Sequence, residues 1–312
     1  MPNRPEILVV GSVNMDLAVH VTASPQPGQT VAGSNLTMTP GGKGANQAVA
    51  AARLGANVSI IARIGNDGFA STVRDNLAQN HVNTECLHIS DDLPTGAALI
   101  TVDNFGENSI IVAGGANLAL TPDDLYGCEH KFEAADAVLL QLETPRPTVR
   151  AAIDLAKRHN CKIVLDPAPA VANIPDCLLE VDVLSPNHIE AEILTGKKAD
   201  TDQTDKLVAS MLIARGAKNV VLKLGRRGSL VVTEDGHFYR VPPFKVEVVD
   251  TTAAGDAFTA AYAVAMLTGQ TLHEAARFAN AAGALTCTKF GAQSAMPTEI
   301  ELSMLLRDQP AH

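Results

Sequence analysis

Short apolar runs alternate with longer helical stretches along most of this chain, and that alternation limits the fold more than any other feature. The apolar runs are Ile7–Val10, Val58–Ala62, Ala137–Leu142, Lys162–Leu165, Val181–Leu184 and Val220–Leu224. Between and after them lie Ala45–Leu54, Ala70–Gln79, Pro147–His159, Thr204–Arg215, Asp256–Leu267 and Leu272–Thr286, each long enough for nearly three helical turns or more. Strands that are apolar throughout must be covered on both faces, and helical crossovers provide the cover. The pattern predicts an α/β fold with a central, mostly parallel sheet and helices on both faces. With 312 residues, 46% of them hydrophobic, the chain can fill such a core.

Two segments break the rhythm. Residues 17–38 read as strand, turn, strand, with Ser24-Pro25-Gln26-Pro27-Gly28 at the turn. Residues 95–113 read as a hairpin, Ala97–Val102 and Ser109–Val112, joined by Asp103-Asn104-Phe105-Gly106-Glu107-Asn108. Neither hairpin can bury much surface alone, so the two are expected to pair into one small β-sheet beside the main domain, rather than stand as separate surface hairpins. The implied division is 1–16, 39–94 and 114–312 for the large α/β unit, with 17–38 and 95–113 as a β lid. A lid suits chemistry that must exclude water.

Composition removes several function classes. No apolar stretch of 18 residues exists, so no membrane span is expected, and the start Met1-Pro2-Asn3-Arg4-Pro5-Glu6 lacks the features of a signal peptide. A cytoplasmic location follows as an expectation. The net charge is −10 with the basic residues scattered, which argues against a nucleic-acid partner. Cys86, Cys128, Cys161, Cys177 and Cys287 include no C-x-x-C pair, so reduced, mostly buried thiols are expected and a zinc site is not.

Ligands of open α/β sheets bind beyond the carboxyl ends of the strands. Polar and turn residues collect there. Gly11-Ser12-Val13-Asn14-Met15-Asp16 follow the first run and Glu143 the third. Asp166-Pro167 follow the fourth, Ser185-Pro186-Asn187 with Glu190 the fifth, and Gly225-Arg226-Arg227-Gly228 the last. Each alone could be a turn or a cap, but together they outline a polar cleft. Two segments add to it. Gly41-Gly42-Lys43-Gly44-Ala45-Asn46-Gln47-Ala48 opens a helix, and its glycines allow either close packing or close approach of a ligand. It is neither a Walker A loop nor a G-x-G-x-x-G turn. Asp250-Thr251-Thr252-Ala253-Ala254-Gly255-Asp256 leads into another helix, whose first amides form an anion site. Asp256 there is a helix cap, a proton acceptor, or both.

The order Asn14-Met15-Asp16, Gly41–Asn46, Asn187-x-x-Glu190, Gly225–Gly228 and Asp250–Asp256 resembles the PfkB family of sugar kinases, and its ribokinase branch in particular, over about residues 6–297. The resemblance implies ATP-dependent phosphorylation of a small sugar, D-ribose at its 5-hydroxyl, with 2-deoxyribose or another sugar or nucleoside as the alternative acceptor. It implies that Asn14, Asp16, Gly42, Lys43, Asn46 and Glu143 hold the sugar and that Asp256 is the general base. Ala253, Ala254 and Gly255 would form the anion hole. Asn187 and Glu190 would serve the phosphates and a hydrated Mg²⁺. Lys223, Gly225, Arg226, Gly228, Gly255 and Asn280 would contact the nucleotide. A monovalent activator, K⁺, would lie among Asp250, Thr252, Thr286, Lys289, Gly291 and Ala295. The lid would pair with that of a second subunit in a homodimer. Some positions depart from the family pattern: Ala253 and Ala295 stand where glycine and serine are usual, and Lys223 where threonine is. Met15 is either a core side chain or a wall suited to a less polar sugar.

Two other classes are weighed against this. A dinucleotide-dependent oxidoreductase would need G-x-G-x-x-G after the first strand, which is absent. A sugar sensor on the same scaffold would not need Asp256, Asn187 and Glu190.

Overall fold

The computed structural model describes residues 4–23, 25–103 and 108–310. The predicted turn residues Ser24 and 104–107, and the start Met1-Pro2-Asn3, lie outside the described residues. In chain order the first elements are β1 (Glu6–Val10), β2 (Asn14–Val21), β3 (Gly33–Gly41), α1 (Lys43–Arg53), β4 (Asn57–Gly65), α2 (Gly68–Gln79) and β5 (Val82–Ser90). Then come β6 (Gly96–Val102), β7 (Asn108–Ala113), α3 (Pro122–Tyr126), α4 (Glu129–Ala134), β8 (Ala137–Leu140), α5 (Arg146–Arg158), β9 (Lys162–Leu165) and β10 (Val183–Leu184). The chain closes with α6 (His188–Thr195), α7 (Asp202–Ala214), β11 (Asn219–Lys223), β12 (Ser229–Thr233), β13 (Phe238–Val241), α8 (Ala254–Leu267), α9 (Leu272–Thr286) and α10 (Glu299–Asp308).

Nine strands form the main sheet in the order β13-β12-β11-β10-β9-β8-β1-β4-β5. From β11 to β5 every pairing is parallel, and β12 and β13 add an antiparallel edge. β1 shows why its run is apolar throughout. Ile7 and Val9 enter the core under α1, α8 and α9, while Leu8 and Val10 enter the core on the opposite face under α5 and α7. Helix α8 is buried from Asp256 to Ala265, which explains its alanine-rich, all-round apolar sequence.

The second sheet runs β3-β2-β6-β7, so the two irregular segments do pair with each other, through the parallel contact of β2 with β6. Both strand pairs start earlier than the sequence suggested: β2 begins at Asn14, inside the predicted cleft residues, and β3 ends at Gly41. The small sheet therefore grows out of the cleft itself. It leaves Leu36, Met38, Leu99, Ile110, Ile111 and Val112 exposed.

The expectation of reduced thiols is corrected, and the two readings of Met15 are resolved. Cys86 on β5 and Cys128 before α4 form a disulfide, their Cα atoms 6.4 Å apart, within bridging range, although 42 residues separate them. Cys161, Cys177 and Cys287 are free. Met15 is 2% exposed and packs in the main core, so it is a core side chain and not a wall of the cleft. No helix among the described residues is long and apolar enough to cross a membrane.

Candidate active site

The carboxyl ends of β1, β8, β9, β10 and β11 face one edge of the sheet, where the N-termini of α1 and α8 meet them. Helix α1 begins at Gly42, whose φ of 89° and tight surroundings admit only glycine: a Cβ there would lie 2.7 Å from the Asn14 amide nitrogen. No side chain of its own caps α1. Other segments do so instead. The Ala45 amide donates to the Ser12 carbonyl at 2.9 Å, the Gly44 amide to Ser12 Oγ at 3.3 Å, and the Lys43 amide to Glu143 Oε2 at 3.2 Å. Ser12 Oγ donates to the same Glu143 oxygen. Glu143 thus brings a negative charge to the positive end of α1. The glycine-rich segment serves close packing and leaves the next turn free to present side chains.

From that turn Asn46 Nδ2 donates to Asp256 Oδ2 at 2.9 Å, and Gln47 Nε2 lies 3.4 Å from Asp256 Oδ1. Lys43 Nζ stands 4.0 Å from the same oxygen. Asp256 is the third residue of α8. The predicted possibility that it is the cap of α8 does not hold: the N-cap is Ala253, at φ 58°, and no side chain caps the helix. The carboxylate is instead held by α1, 210 residues away in sequence. Burial pushes its pKa up, and the Lys43 ammonium opposes that shift. Lys43 in turn is pushed up by Asp256. Asn46 Oδ1 is buried without a partner among the described residues, an acceptor left for a ligand hydroxyl.

Asp16 stands two residues beyond Asn14 on β2. Burial, then the nearby charges of Glu143 and Asp256, push its pKa up to about 7. Asn14, Asp16, Lys43, Asn46, Glu143 and Asp256 are therefore brought to one end of the cleft.

The other helix start is open. The Ala254 amide donates to the Thr251 carbonyl at 3.3 Å, so that predicted hole donor is engaged. The amides of Ala253, Gly255 and Asp256 have no acceptor among the described residues. Lys223, at the end of β11, is 9% exposed and donates to Asp166 Oδ2 at 3.1 Å. A Cβ built at Gly255 would come 3.5 Å from its Nζ, so the ammonium lies against the turn into α8. Asn187 and Glu190 form a reciprocal capping box on α6, with distances of 2.7 and 2.8 Å. Burial raises the Glu190 pKa, while Lys223 holds it back. Gly225 to Arg227 form a 3-10 turn closed by Gly228 at φ 78°. Asn280 Nδ2 donates to the carbonyls of Val241 and Pro242, so that amide ties down the backbone after β13.

Around Asp250, Oδ1 accepts from the Thr252 amide and hydroxyl at 2.9 and 2.7 Å, and Oδ2 from the Gly291 amide at 3.0 Å. Thr286 and Ala295 are buried. The Lys289 side chain pairs with Glu301 at 2.6 Å, which leaves only its backbone for a cation.

Sequence reasoning missed Asn117, and it named Ser12, Gln47 and Asp166 in the cleft without giving them a role. Asp166 Oδ2 receives Gln47 at 3.3 Å, Lys223 at 3.1 Å and Thr259 at 3.3 Å, joining α1, β11 and α8. Its place after β9 was the one available signal.

A carboxylate fixed beside unfilled helix amides, at the carboxyl edge of a parallel sheet, suits transfer of a phosphoryl group to an alcohol. Comparison with known proteins agrees. The model of the pfkB family carbohydrate kinases matches residues 4–299. A ribokinase of Haemophilus influenzae is 40% identical over 298 residues, 96% of this chain and 97% of its own. A deoxyribokinase of Salmonella typhi is 34% identical over 294 residues, 94% of this chain and 96% of its own. The structure of Arabidopsis thaliana ribokinase complexed with ribose and ATP superposes with a TM-score of 0.90 at 33% identity, covering 98% of this chain and 99% of that one. The match spans every segment that builds the cleft, and the chain belongs to the PfkB family of carbohydrate kinases.

Proposed function

We propose that this kinase transfers the γ-phosphoryl group of ATP to the 5-hydroxyl of D-ribose, giving D-ribose 5-phosphate. The observation that carries it is the Asp256 carboxylate, fixed by Asn46 and Lys43 at the mouth of a helix where the Ala253, Gly255 and Asp256 amides have no acceptor among the described residues. The hydroxyl proton passes to Asp256 as the sugar oxygen bonds to the γ-phosphorus and the bond to the ADP oxygen breaks. A raised carboxylate pKa suits that proton transfer. The amides of Ala253 and Gly255 with the Lys223 ammonium receive the charge on the transferring group. Asn14, Asp16, Gly42, Lys43, Asn46 and Glu143 hold the sugar. The similarity to ribokinases at up to 40% identity favours ribose over 2-deoxyribose, and the core placement of Met15 removes one reason for a less polar sugar.

Asn187 and Glu190 would position Mg²⁺ through its water shell, and the ion would neutralise phosphate charge when bound. The oxygens around Asp250 would hold K⁺ and order the turn before Asp256. Gly225, Arg226, Gly228 and Asn280 would border the nucleotide. The exposed apolar residues of the small sheet support its role as a lid that pairs with a second subunit. A cytoplasmic location agrees with the need for ATP.

A coupled ADP-release assay over a panel of acceptors, run with and without K⁺, tests this. D-ribose should give the highest kcat/KM. Preference for 2-deoxyribose would move the assignment to the deoxyribokinase reading.

A further inference from the structure

Asn117 lies in the 3-10 turn Gly115–Ala119 that follows β7 and is 1% exposed. Its amide can point only one way. Oδ1 accepts from the Val13 amide at 2.9 Å, and Nδ2 donates to the Val13 carbonyl at 3.1 Å. A flip would set donor against donor and acceptor against acceptor. Nδ2 has a second proton, and that goes to Asn14 Oδ1 at 2.8 Å. The orientation of Asn14 follows. Its oxygen is engaged by Asn117, and its Nδ2, which has no acceptor among the described residues, is the end left for a ligand.

We propose that Asn117 is a positioning residue for specificity: it locks Asn14 as a hydrogen-bond donor, so that the cleft demands a hydroxyl oxygen at that point. The inference rests on the sugar site proposed above. A hydroxyl has one proton and two lone pairs. Asp16, on the same side of β2 as Asn14, offers a carboxylate that takes the proton. Asn14 then meets a lone pair of that hydroxyl or of its neighbour. With Asn14 flipped, two acceptors would compete for one proton. The lock sits at the root of the small sheet, where Asn14 pairs with Gly96 of β6. A Cβ on Gly96 would overlap both Asn14 Oδ1 and Asn117 Nδ2, so only glycine leaves room for the contact.

Asn117→Asp keeps the shape and reverses the polarity. Its second oxygen would face the Val13 carbonyl and draw the Asn14 amide nitrogen inward, turning an oxygen toward the sugar. The expected result is a rise in KM for D-ribose of about 10- to 100-fold, the effect of leaving one buried polar group unpaired. The kcat at saturating sugar and the KM for ATP should stay within about twofold. The penalty should vanish for the deoxy analogue that lacks the hydroxyl Asn14 serves. Asn14→Asp, with Asn117 intact, should reproduce the same rise, and it carries the test where Asn117→Asp does not fold. In Asn14→Ala, adding Asn117→Asp should cost little more. Equal losses of kcat on every sugar, or a wild-type KM in Asn14→Asp, would overturn the inference. A wild-type chain that phosphorylates no pentose would overturn the sugar-site assignment, and this inference with it.

Discussion

Helices α1 and α8 are both preceded by a residue of positive φ, Gly42 at 89° and Ala253 at 58°, and neither is capped by its own side chain. From there they differ. The start of α1 is filled by the protein: Ser12 and Glu143 take its amides, and its next turn holds Asp256. The start of α8 keeps three amides without an acceptor among the described residues. A helix end satisfied internally becomes a rigid mount. A helix end left open is a receptor for an anion. The cleft has one of each, and Asp256, the proposed proton acceptor, belongs to the open helix while being held by the filled one.

The largest expected effect tests that joint. Asp256→Asn removes the proton acceptor and should lower kcat by roughly 10² to 10⁴. It should leave the unfolding midpoint unchanged or higher, because burial opposes the charge. A variant with near wild-type turnover would break the comparison.

The next effect is pH dependence on the α1 side. The folded-state pKa of Asp16, about 7, lies above its ordinary value. In the proposed sugar site the ionised form of Asp16 holds the sugar, so kcat/KM for the sugar should rise with pH up to about 7, by as much as tenfold per unit, and then level off. Stability runs the other way. Between the two pKa values the folded state binds more protons than the unfolded state, so the contribution of Asp16 to stability is present at low pH and is lost as pH rises through 7. Asp16→Asn should therefore raise the unfolding midpoint relative to wild type at pH 8 and not at pH 4. Thermal unfolding at both values checks the sign.

Glu143→Gln sharpens the claim that α1 is filled in trans. Losing the charge at the positive helix end should cost about 1 kcal/mol, seen in denaturant unfolding. The same change should leave the KM for ATP unaltered. The smallest effect is at Ala253. Its left-handed backbone strains an alanine by about 1 kcal/mol, and glycine would relieve that while gaining freedom in the unfolded chain. Ala253→Gly should stabilise by on the order of 0.5 kcal/mol without changing kcat. A loss of stability there would show that the methyl group is packed to some use.

Much of the fold was legible because it is written in neighbours. The parallel strands other than β5 and the helices longer than α10 appear within a few residues of their predicted bounds; α9 matches at both ends. The misses were local in cause. β5 carries alternating polar residues at the sheet edge. β12 and β13 form a short antiparallel addition. α6, at eight residues, is too short for a clear period. Of the cleft, the polar residues after the strands and at the starts of α1 and α8 were legible. Asn117 was missed because its contacts, with Val13 and Asn14, are set more than 100 residues away and no periodicity marks them. The Cys86 and Cys128 pairing was missed for the same reason.

The sequence alone determined that strands would be buried on both faces, that helices would cover them, and that polar residues would collect beyond the strand ends. Those follow from apolar periodicity and turn chemistry, which act over a few residues. Tertiary structure decided which helix start is filled and which stays open, which way the Asn14 amide points, and which side chains hold Asp256. Those choices depend on hydrogen bonds between segments 100 to 210 residues apart, whose geometry exists only once the sheet has brought them to one edge.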